Sequence, residues 1–261
     1  MLANEVLVID GLVVQFGGLR AIDDFSLSLT EGELLGLIGP NGSGKTTLFN
    51  ATTGVVPAAA GSIRFKDTEL IGLPSNKIAT LGISRTFQNI RIFPRMTVLQ
   101  NVALAIHRIP LYSVWEAFLR TKKVVEADRK VEAEAYEFLE ALGLQDYAKR
   151  EAGTLPYGLQ RKVEIARALA TRPSLLLLDE PAAGMNDQEC VQLQELIQEI
   201  HDKYKLSTIL IEHHMTVVAA VCKRVVVLNL GKMLAQGSVR DVQSDPRVIQ
   251  AYLGERRSRY A

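Results

Sequence analysis

Gly39-Pro40-Asn41-Gly42-Ser43-Gly44-Lys45-Thr46-Thr47 carries more structural information than any other stretch of this chain. It fits the pattern G-x-x-x-x-G-K-[ST], in which a glycine-rich turn leads from a strand into a helix. Glycines let the backbone wrap tightly, so that successive N–H groups point at phosphate oxygens. Lys45 places a positive charge beside the β- and γ-phosphates, and the Thr46 hydroxyl is a ligand for Mg²⁺. We therefore predict that residues 39–47 bind a nucleoside triphosphate, with a helix that starts near Gly44 and points its positive end at the phosphates.

Three continuous apolar runs predict strands that are buried on both faces, as in a parallel sheet. Residues 34–38 lead into the phosphate loop, residues 175–178 end in Asp179 and Glu180, and residues 208–211 are followed by His213. Ligands bind at the carboxyl ends of strands in open α/β sheets. Asp179 can hold Mg²⁺ there, and Glu180 can polarise an attacking water. A histidine at a strand end is usually structural, but on the same sheet edge as these two carboxylates we expect His213 to be functional.

The segment before the loop, residues 5–38, has the pattern of several strands. Asp10–Gly11 predicts a turn between two of them, and Phe25, Leu27 and Leu29 alternate with polar residues as in a half-buried strand. Phe16, followed by two glycines, ends one of these strands. It is either an aromatic that stacks on an adenine or an ordinary core phenylalanine, and the nearby phosphate loop favours the first.

The sequence from residue 99 onward predicts several helices and a hairpin. Residues 99–158 form a helical insert between two α/β halves, and the charges of this insert indicate a solvated helix face more than a phospholipid contact. After it we expect a helix over residues 160–169, a helix capped by Asn186 and Glu189, and a hairpin over residues 225–236. Asp245–Pro246 starts a short helix that ends near Gly254.

Composition limits the function classes. The 261 residues include 30 Lys and Arg against 29 Asp and Glu, a net charge of +1, so bulk charge gives no reason to expect a nucleic-acid partner. Cys190 and Cys222 are the two cysteines and predict core residues of a reducing compartment. We find no signal peptide and no apolar run near the ~18 residues needed to span a bilayer. A cytoplasmic protein is expected, with any membrane attachment made through a partner.

Taken in order, these residues resemble the ATPase subunit of an ABC transporter, and the resemblance covers about residues 5–254, with residues 255–261 as a tail. It implies an α/β fold: a P-loop NTPase core with an antiparallel β subdomain and a helical subdomain insert. It also implies ATP hydrolysis with ATP and Mg²⁺. For the nucleotide, the resemblance implies adenine stacking by Phe16 and phosphate binding by Gly39 to Thr47. It implies Mg²⁺ binding by Thr46 and Asp179, contact of Gln88 with Mg²⁺ and the membrane partner, and catalysis by Glu180 with Gln88 and the switch histidine His213. The residues implied to contact the partner's ATP are Leu155, Pro156, Tyr157, Gly158, Leu159 and Gln160.

Within this family, several stretches are similar to the subunits that energise branched-chain amino-acid importers. They are residues 85–88, the long insert, residues 180–184, residues 211–213 and residues 251–255. The expected complex has two transmembrane permease subunits, a second ATPase subunit (a paralogue is favoured over a second copy) and, indirectly, an extracytoplasmic solute-binding protein. The chain would lie at the cytoplasmic face of the inner membrane, and the solute could also be urea, an amide or another small molecule. The alternatives are the lipopolysaccharide-export ATPase, a non-transport ABC ATPase and a P-loop kinase.

The sequence departs from the family pattern at four positions. Pro156 stands where the signature usually has serine, and Leu159 where it has glutamine. Asn186 and His214 both replace aspartates. Because Pro156 supplies neither a hydroxyl nor an N–H, we hypothesise that the ATP site completed by this signature is weaker than the one built on the chain's own phosphate loop.

Overall fold

The computed structural model describes residues 4–106, 116, 118 and 121–258. The chain forms two compact units, which we call the core unit (Met1–Arg85 and Ser174–Ala261) and the helical unit (Thr86–Pro173). Parts of the predicted insert (residues 107–115, 117, 119 and 120) and the end of the predicted tail (residues 259–261) lie outside the described residues. The predicted insert boundaries, 99 and 158, stay a prediction.

The core unit contains an antiparallel sheet of four strands in the order β2-β1-β4-β5. These strands are β1 (Glu5–Phe16), β2 (Leu19–Thr30), β4 (Ala60–Phe65) and β5 (Thr68–Glu69). Phe25, Leu27 and Leu29 are buried, as their alternation predicted. The predicted turn at Asp10–Gly11 is wrong, because β1 continues through both residues and its register with β2 and β4 shifts there. Gly11 has a φ of +55°, and a bulge needs this backbone conformation as much as a turn does.

The second sheet of the core unit has six strands in the order β10-β9-β3-β8-β7-β6. All neighbours in it are parallel except β9 and β10, which form the predicted hairpin. Its strands are β3 (Leu34–Ile38), β6 (Ile83–Arg85), β7 (Leu175–Asp179), β8 (Ser207–Ile211), β9 (Arg224–Asn229) and β10 (Lys232–Gly237). Every residue of β3, β7 and β8 is buried, which explains why these strands have continuous apolar sequences.

The described helices divide between the two units. The core unit has α1 (Lys45–Thr52), α2 (Ser75–Thr80), α6 (Asp187–Tyr204), α7 (Met215–Val221), α8 (Val239–Ser244) and α9 (Pro246–Ser258), and the helical unit has α3 (Val98–Ile106), α4 (Lys122–Ala141) and α5 (Tyr157–Ala170). The predicted cap of α6 is confirmed, since the side chains of Asn186 and Glu189 each accept the other residue's N–H at 2.9 Å. The helix after Asp245 does not end near Gly254 as predicted but continues to Ser258. In the described ranges, no helix has the length and apolar character needed to cross a membrane.

Buried apolar side chains hold each unit together. Both sheets of the core unit contribute side chains to one apolar cluster, which includes Phe25 and Phe49. In the helical unit, α4 buries one side built from Val124, Val131, Ala135, Phe138 and Leu139. Both cysteines are buried free thiols, as predicted.

Candidate functional site

Three neighbouring parallel strands bring the predicted residues of the core unit to one sheet edge. β8 lies between β3 and β7, and Ile211 is in register with Asp179. Strand β3 runs into the phosphate loop, β7 ends at Asp179 and Glu180, and β8 is followed by Glu212 and His213. The predicted edge, with the loop, the two carboxylates and the histidine together, is therefore present.

The phosphate loop is a tight turn that packs against other core-unit backbone. A Cβ on Gly39 would lie 2.0 Å from the carbonyl oxygen of Leu228, and one on Gly44, at φ +110°, would lie 2.6 Å from that of Ala21. Only glycine fits at such distances. The loop is also fixed from outside, because Gly231 N donates to Ser43 O at 2.9 Å.

Lys45 lies inside this turn. Its side chain is buried, and Nζ donates to the carbonyls of Gly39 at 2.7 Å and Pro40 at 3.0 Å. Gly44 caps α1, so the predicted start of the helix is confirmed. Thr46, in the first turn of α1, is exposed. The loop thus combines a buried cation with an accessible hydroxyl at a helix N-terminus, an arrangement that suits a phosphate group.

Asp179 is held by a buried arginine that the sequence did not point to. Arg85 Nη2 lies 2.7 Å from Asp179 Oδ2, and the two side chains are 5% and 1% exposed. The same guanidinium donates to Asn50 Oδ1 on α1 at 2.7 Å. Burial raises the pKa of Asp179, while the charges of Arg85 and Lys45 act in the opposite direction. Arg85 therefore links the carboxylate at the end of β7 to the helix that follows the phosphate loop.

Glu180 and His213 are in direct contact. His213 Nε2 lies 2.5 Å from Glu180 Oε1. Glu180 has a φ of +46°, a left-handed conformation that is uncommon for a residue with a side chain and is often found at functional sites. Its backbone N–H donates to Ile211 O at 2.9 Å, which anchors the turn after β7 to strand β8.

Glu212 is a second buried carboxylate beside this pair. It is 1% exposed, and its Oε1 accepts the N–H of Ala182 at 2.7 Å while its Oε2 accepts the N–H of His213 at 3.0 Å. Burial raises the pKa of Glu212, and these backbone donors oppose that effect. A charged residue directly after the buried apolar run of β8 was the available sequence signal.

Phe16 lies at the end of β1 with half of its surface exposed. The core alternative is therefore excluded, because a core phenylalanine would be buried like Phe25. Exposed aromatic rings offer a face on which a base can stack. Stacking on adenine remains a prediction.

The signature-like segment, Leu155–Gln160, belongs to the helical unit. Pro156 caps α5, and its carbonyl accepts the N–H groups of Leu159 and Gln160, both at 3.0 Å. Gln160 Nε2 also donates to Leu155 O at 2.8 Å. The first-turn N–H groups of Tyr157 and Gly158 have no acceptor within the helix, and Tyr157 is exposed.

Gln88 belongs to the helical unit as well, in a loop whose backbone is bound by side chains of α5. The fully buried Arg161 donates to the carbonyls of Phe87 at 2.7 Å and Gln88 at 2.9 Å. Glu164, which pairs with Arg161 at 2.6 Å, accepts the N–H of Phe87 at 3.2 Å. The charges at i and i+3 on one helix were the sequence signal for this pair. The helix that begins at the signature-like segment therefore fixes the backbone of the Gln88 loop.

The oxygen donors of the core unit suit Mg²⁺ that is shared with a phosphate ligand, and not a metal whose ligands all come from the protein. The described residues contain no cluster of three His, Cys, Asp or Glu side chains that could hold a metal ion. Mg²⁺ is commonly bound by one or two carboxylates together with substrate phosphates and water. One buried carboxylate, Asp179, and one hydroxyl, Thr46, are such a partial donor set.

Comparisons with known proteins agree with this geometry. A family model described as ABC transporter matches residues 22–183, and one described as branched-chain amino acid ATP-binding cassette transporter matches residues 232–257. The high-affinity branched-chain amino acid transport ATP-binding protein LivG of Salmonella typhimurium is 42% identical over 97% of this chain and 100% of its own length. The lipopolysaccharide export system ATP-binding protein LptB of Escherichia coli is 32% identical over 95% of this chain and 97% of its own.

A solved structure supports the same fold. The ADP conformation of MJ1267, an ATP-binding cassette of an ABC transporter, matches with a TM-score of 0.82 and 33% identity, over 96% of this chain and 99% of that chain. The α/β fold with a P-loop, expected from the sequence, is confirmed.

Proposed function

We propose that this chain, which belongs to the family of ABC transporter ATPases, is the ATP-hydrolysing subunit of an importer for branched-chain or other hydrophobic amino acids. The observation that supports ATP hydrolysis is the sheet edge where Lys45, Asp179, Glu180 and His213 come together. The solute class is supported by the 42% identity to LivG and by the branched-chain model over residues 232–257. Related small solutes such as urea or amides belong to the same proposal.

The phosphate loop holds the triphosphate and Phe16 holds the base. Backbone N–H groups of residues 39–47 donate to phosphate oxygens, with the α1 N-terminus behind them. Lys45 exchanges its present carbonyl partners for the β- and γ-phosphates. The exposed ring of Phe16 stacks on adenine.

The hydrolytic step depends on the two loops that follow β7 and β8. Thr46 and Asp179 are the residues of the core unit that would hold Mg²⁺, which when bound neutralises charge on the phosphates, and a contact of Gln88 with this ion stays a prediction. Glu180 orients and polarises the attacking water. His213, already in contact with the Glu180 carboxylate, reaches the γ-phosphate from the neighbouring strand end.

A second ATPase subunit completes each nucleotide site. Residues 155–160 contact ATP held on the partner's phosphate loop, through the N–H groups of Tyr157 and Gly158. Pro156 leaves this contact without a hydroxyl or an N–H at one position. We therefore favour a paralogous partner with a complete signature, so that the two ATP sites differ in activity.

The ATPase domain of this chain works in a complex with membrane subunits. Residues 5–254 form the ATPase domain, with the insert at about 99–158 and the tail at 255–261. Two permease subunits bind the chain at the cytoplasmic face of the inner membrane. The Gln88 loop and the insert transmit the closure of the paired ATPase subunits to these permeases. An extracytoplasmic protein selects the solute.

Affinity purification of the tagged chain from gently solubilised native membranes tests the assignment. We expect two multi-spanning permeases and a second ATPase to co-purify, with a solute-binding protein encoded nearby. That binding protein is then screened for branched-chain amino acids by calorimetry. Recovery of export permeases would instead support lipid export, the activity named for the 32% identical LptB. Recovery of no membrane protein would support a non-transport ATPase.

A further inference from the structure

Contacts between described residues join the turn after β7 to the end of β8 and to the turn that follows β8. Glu180 N donates to Ile211 O at 2.9 Å, His213 Nε2 lies 2.5 Å from Glu180 Oε1, and Ala182 N donates to Glu212 Oε1 at 2.7 Å. The first contact fixes only where the turn leaves the sheet. The second joins the two functional side chains themselves. The third is made by a residue to which the proposed mechanism gives no role.

Glu212 is placed to hold both turns at once. Its two carboxylate oxygens point in different directions, one to the backbone of Ala182 and the other to the backbone of His213. His214 N lies 3.4 Å from the second oxygen. Because the carboxylate is buried, each of these bonds is shielded from water, and a carboxylate that accepts backbone N–H groups makes stronger bonds than a neutral acceptor.

Glu180 depends on such support. Its left-handed φ of +46° is unfavourable for a residue with a Cβ, so the turn keeps this conformation only if its neighbours hold it. Ala182, two residues further on, is fully buried and tied to Glu212. The same carboxylate holds the backbone of His213, whose ring touches Glu180. Glu212 therefore holds the backbone near both ends of the Glu180–His213 contact.

We propose that Glu212 is a positioning residue, which sets the Glu180 carboxylate and the His213 ring in register for hydrolysis by bridging the backbones of Ala182 and His213. This inference rests on the proposed roles of Glu180 and His213. Ala182 also lies at the start of the loop that continues to Asn186. Glu212 therefore holds both this loop and the Glu180–His213 contact.

The test is Glu212→Gln in the full-length chain, alone and in the complex with which it purifies. A glutamine keeps the size of the side chain and one acceptor oxygen, but its NH₂ group cannot accept from the second backbone N–H. We expect kcat for ATP hydrolysis to fall about tenfold or more, in the range of a misplaced catalytic group. The KM for ATP and the affinity for a fluorescent ATP analogue should stay within about twofold, because the phosphate loop is untouched.

Glu69→Gln is the matched control. Glu69 also holds backbone through its carboxylate, since Oε1 accepts the N–H groups of Ile63 and Ile71 at 3.0 Å each. It lies on β5 in the other sheet, so its replacement should leave kcat unchanged. Glu212→Asp is the second variant, because a side chain shorter by one methylene keeps the charge but cannot span both turns. It should give the same loss of kcat with unchanged nucleotide affinity.

A double-variant cycle with His213→Ala separates positioning from general stability. If Glu212 acts through the Glu180–His213 contact, Glu212→Gln should lower kcat little further in the His213→Ala background. Wild-type kcat in both Glu212 variants, or losses that multiply in the double variant, would overturn the inference. Loss of nucleotide affinity together with kcat would also overturn it, since Glu212 would then support the fold as a whole. Failure of the wild-type complex to hydrolyse ATP would instead remove the proposed function.

Discussion

Replacing Arg85 with methionine should destabilise the core unit by several kcal/mol. The guanidinium of Arg85 is buried between the Asp179 carboxylate and the Asn50 amide, at 2.7 Å from each. Methionine is an unbranched side chain that can fill part of the same space without charge. The substitution therefore removes the ion pair and leaves most of the packing.

The expected magnitude follows from burial. Asp179 is 1% exposed and Arg85 is 5% exposed, so solvent screens the pair little. Removing one partner of a buried ion pair takes the main counter-charge from the other and destabilises by about 3–5 kcal/mol. An exposed pair such as Arg172 with Glu134, where the arginine is 72% exposed, contributes less than about 1 kcal/mol. Against a total stability of about 5–15 kcal/mol, only the buried pair should matter greatly.

Urea unfolding followed by far-UV circular dichroism measures this difference. Arg85→Met should lower the free energy of unfolding by about 3–5 kcal/mol, and Arg172→Met is the control with little change. Arg85→Met/Asp179→Asn should regain part of the loss, because the buried carboxylate no longer carries a charge. An Arg85→Met variant within about 1 kcal/mol of wild type, with no recovery in the double variant, would show that the buried ion pair does not stabilise the core unit.

Two further predictions concern the signature-like segment and the thiols. Restoring serine at Pro156 should raise the ATPase activity of the assembled complex, because a hydroxyl and an N–H become available to the partner's ATP; an unchanged rate would remove the hypothesis of unequal sites. Burial raises the pKa of Cys222 to about 12 and also raises that of Cys190, so a disulfide reagent in mildly alkaline buffer should label neither thiol in the native chain and both in denaturant. Fast labelling of either cysteine in the folded protein would contradict its buried position.

The sequence was sufficient for the parts of the fold that carry a local signal. Strands β3, β7 and β8 are buried on both faces, so their sequences are continuous apolar runs that can be read directly. The phosphate loop was equally clear because tight backbone approaches restrict Gly39 and Gly44 to glycine. Once the strands are taken as parallel, Asp179, Glu180 and His213 follow at one edge.

The parts that could not be predicted depend on neighbours distant in the chain. Arg85 and Asp179 are 94 residues apart, and a charged residue at a strand end gives no indication of its partner. Arg161 has no sequence feature that points to the Gln88 loop, and the two residues are 73 positions apart in the chain. The error at Asp10–Gly11 has another cause, because a glycine with positive φ serves a bulge as well as a turn.

Replacement of Glu180 by glutamine is the most direct test of ATP hydrolysis at this sheet edge. The assembled complex is measured for turnover by phosphate release and for nucleotide affinity with a fluorescent ATP analogue, with Glu195→Gln on the exposed face of α6 as the control. We predict nearly unchanged affinity and a fall in turnover of roughly 100-fold to 10,000-fold, since loss of a general base has effects of that size. Wild-type turnover in Glu180→Gln would contradict this prediction.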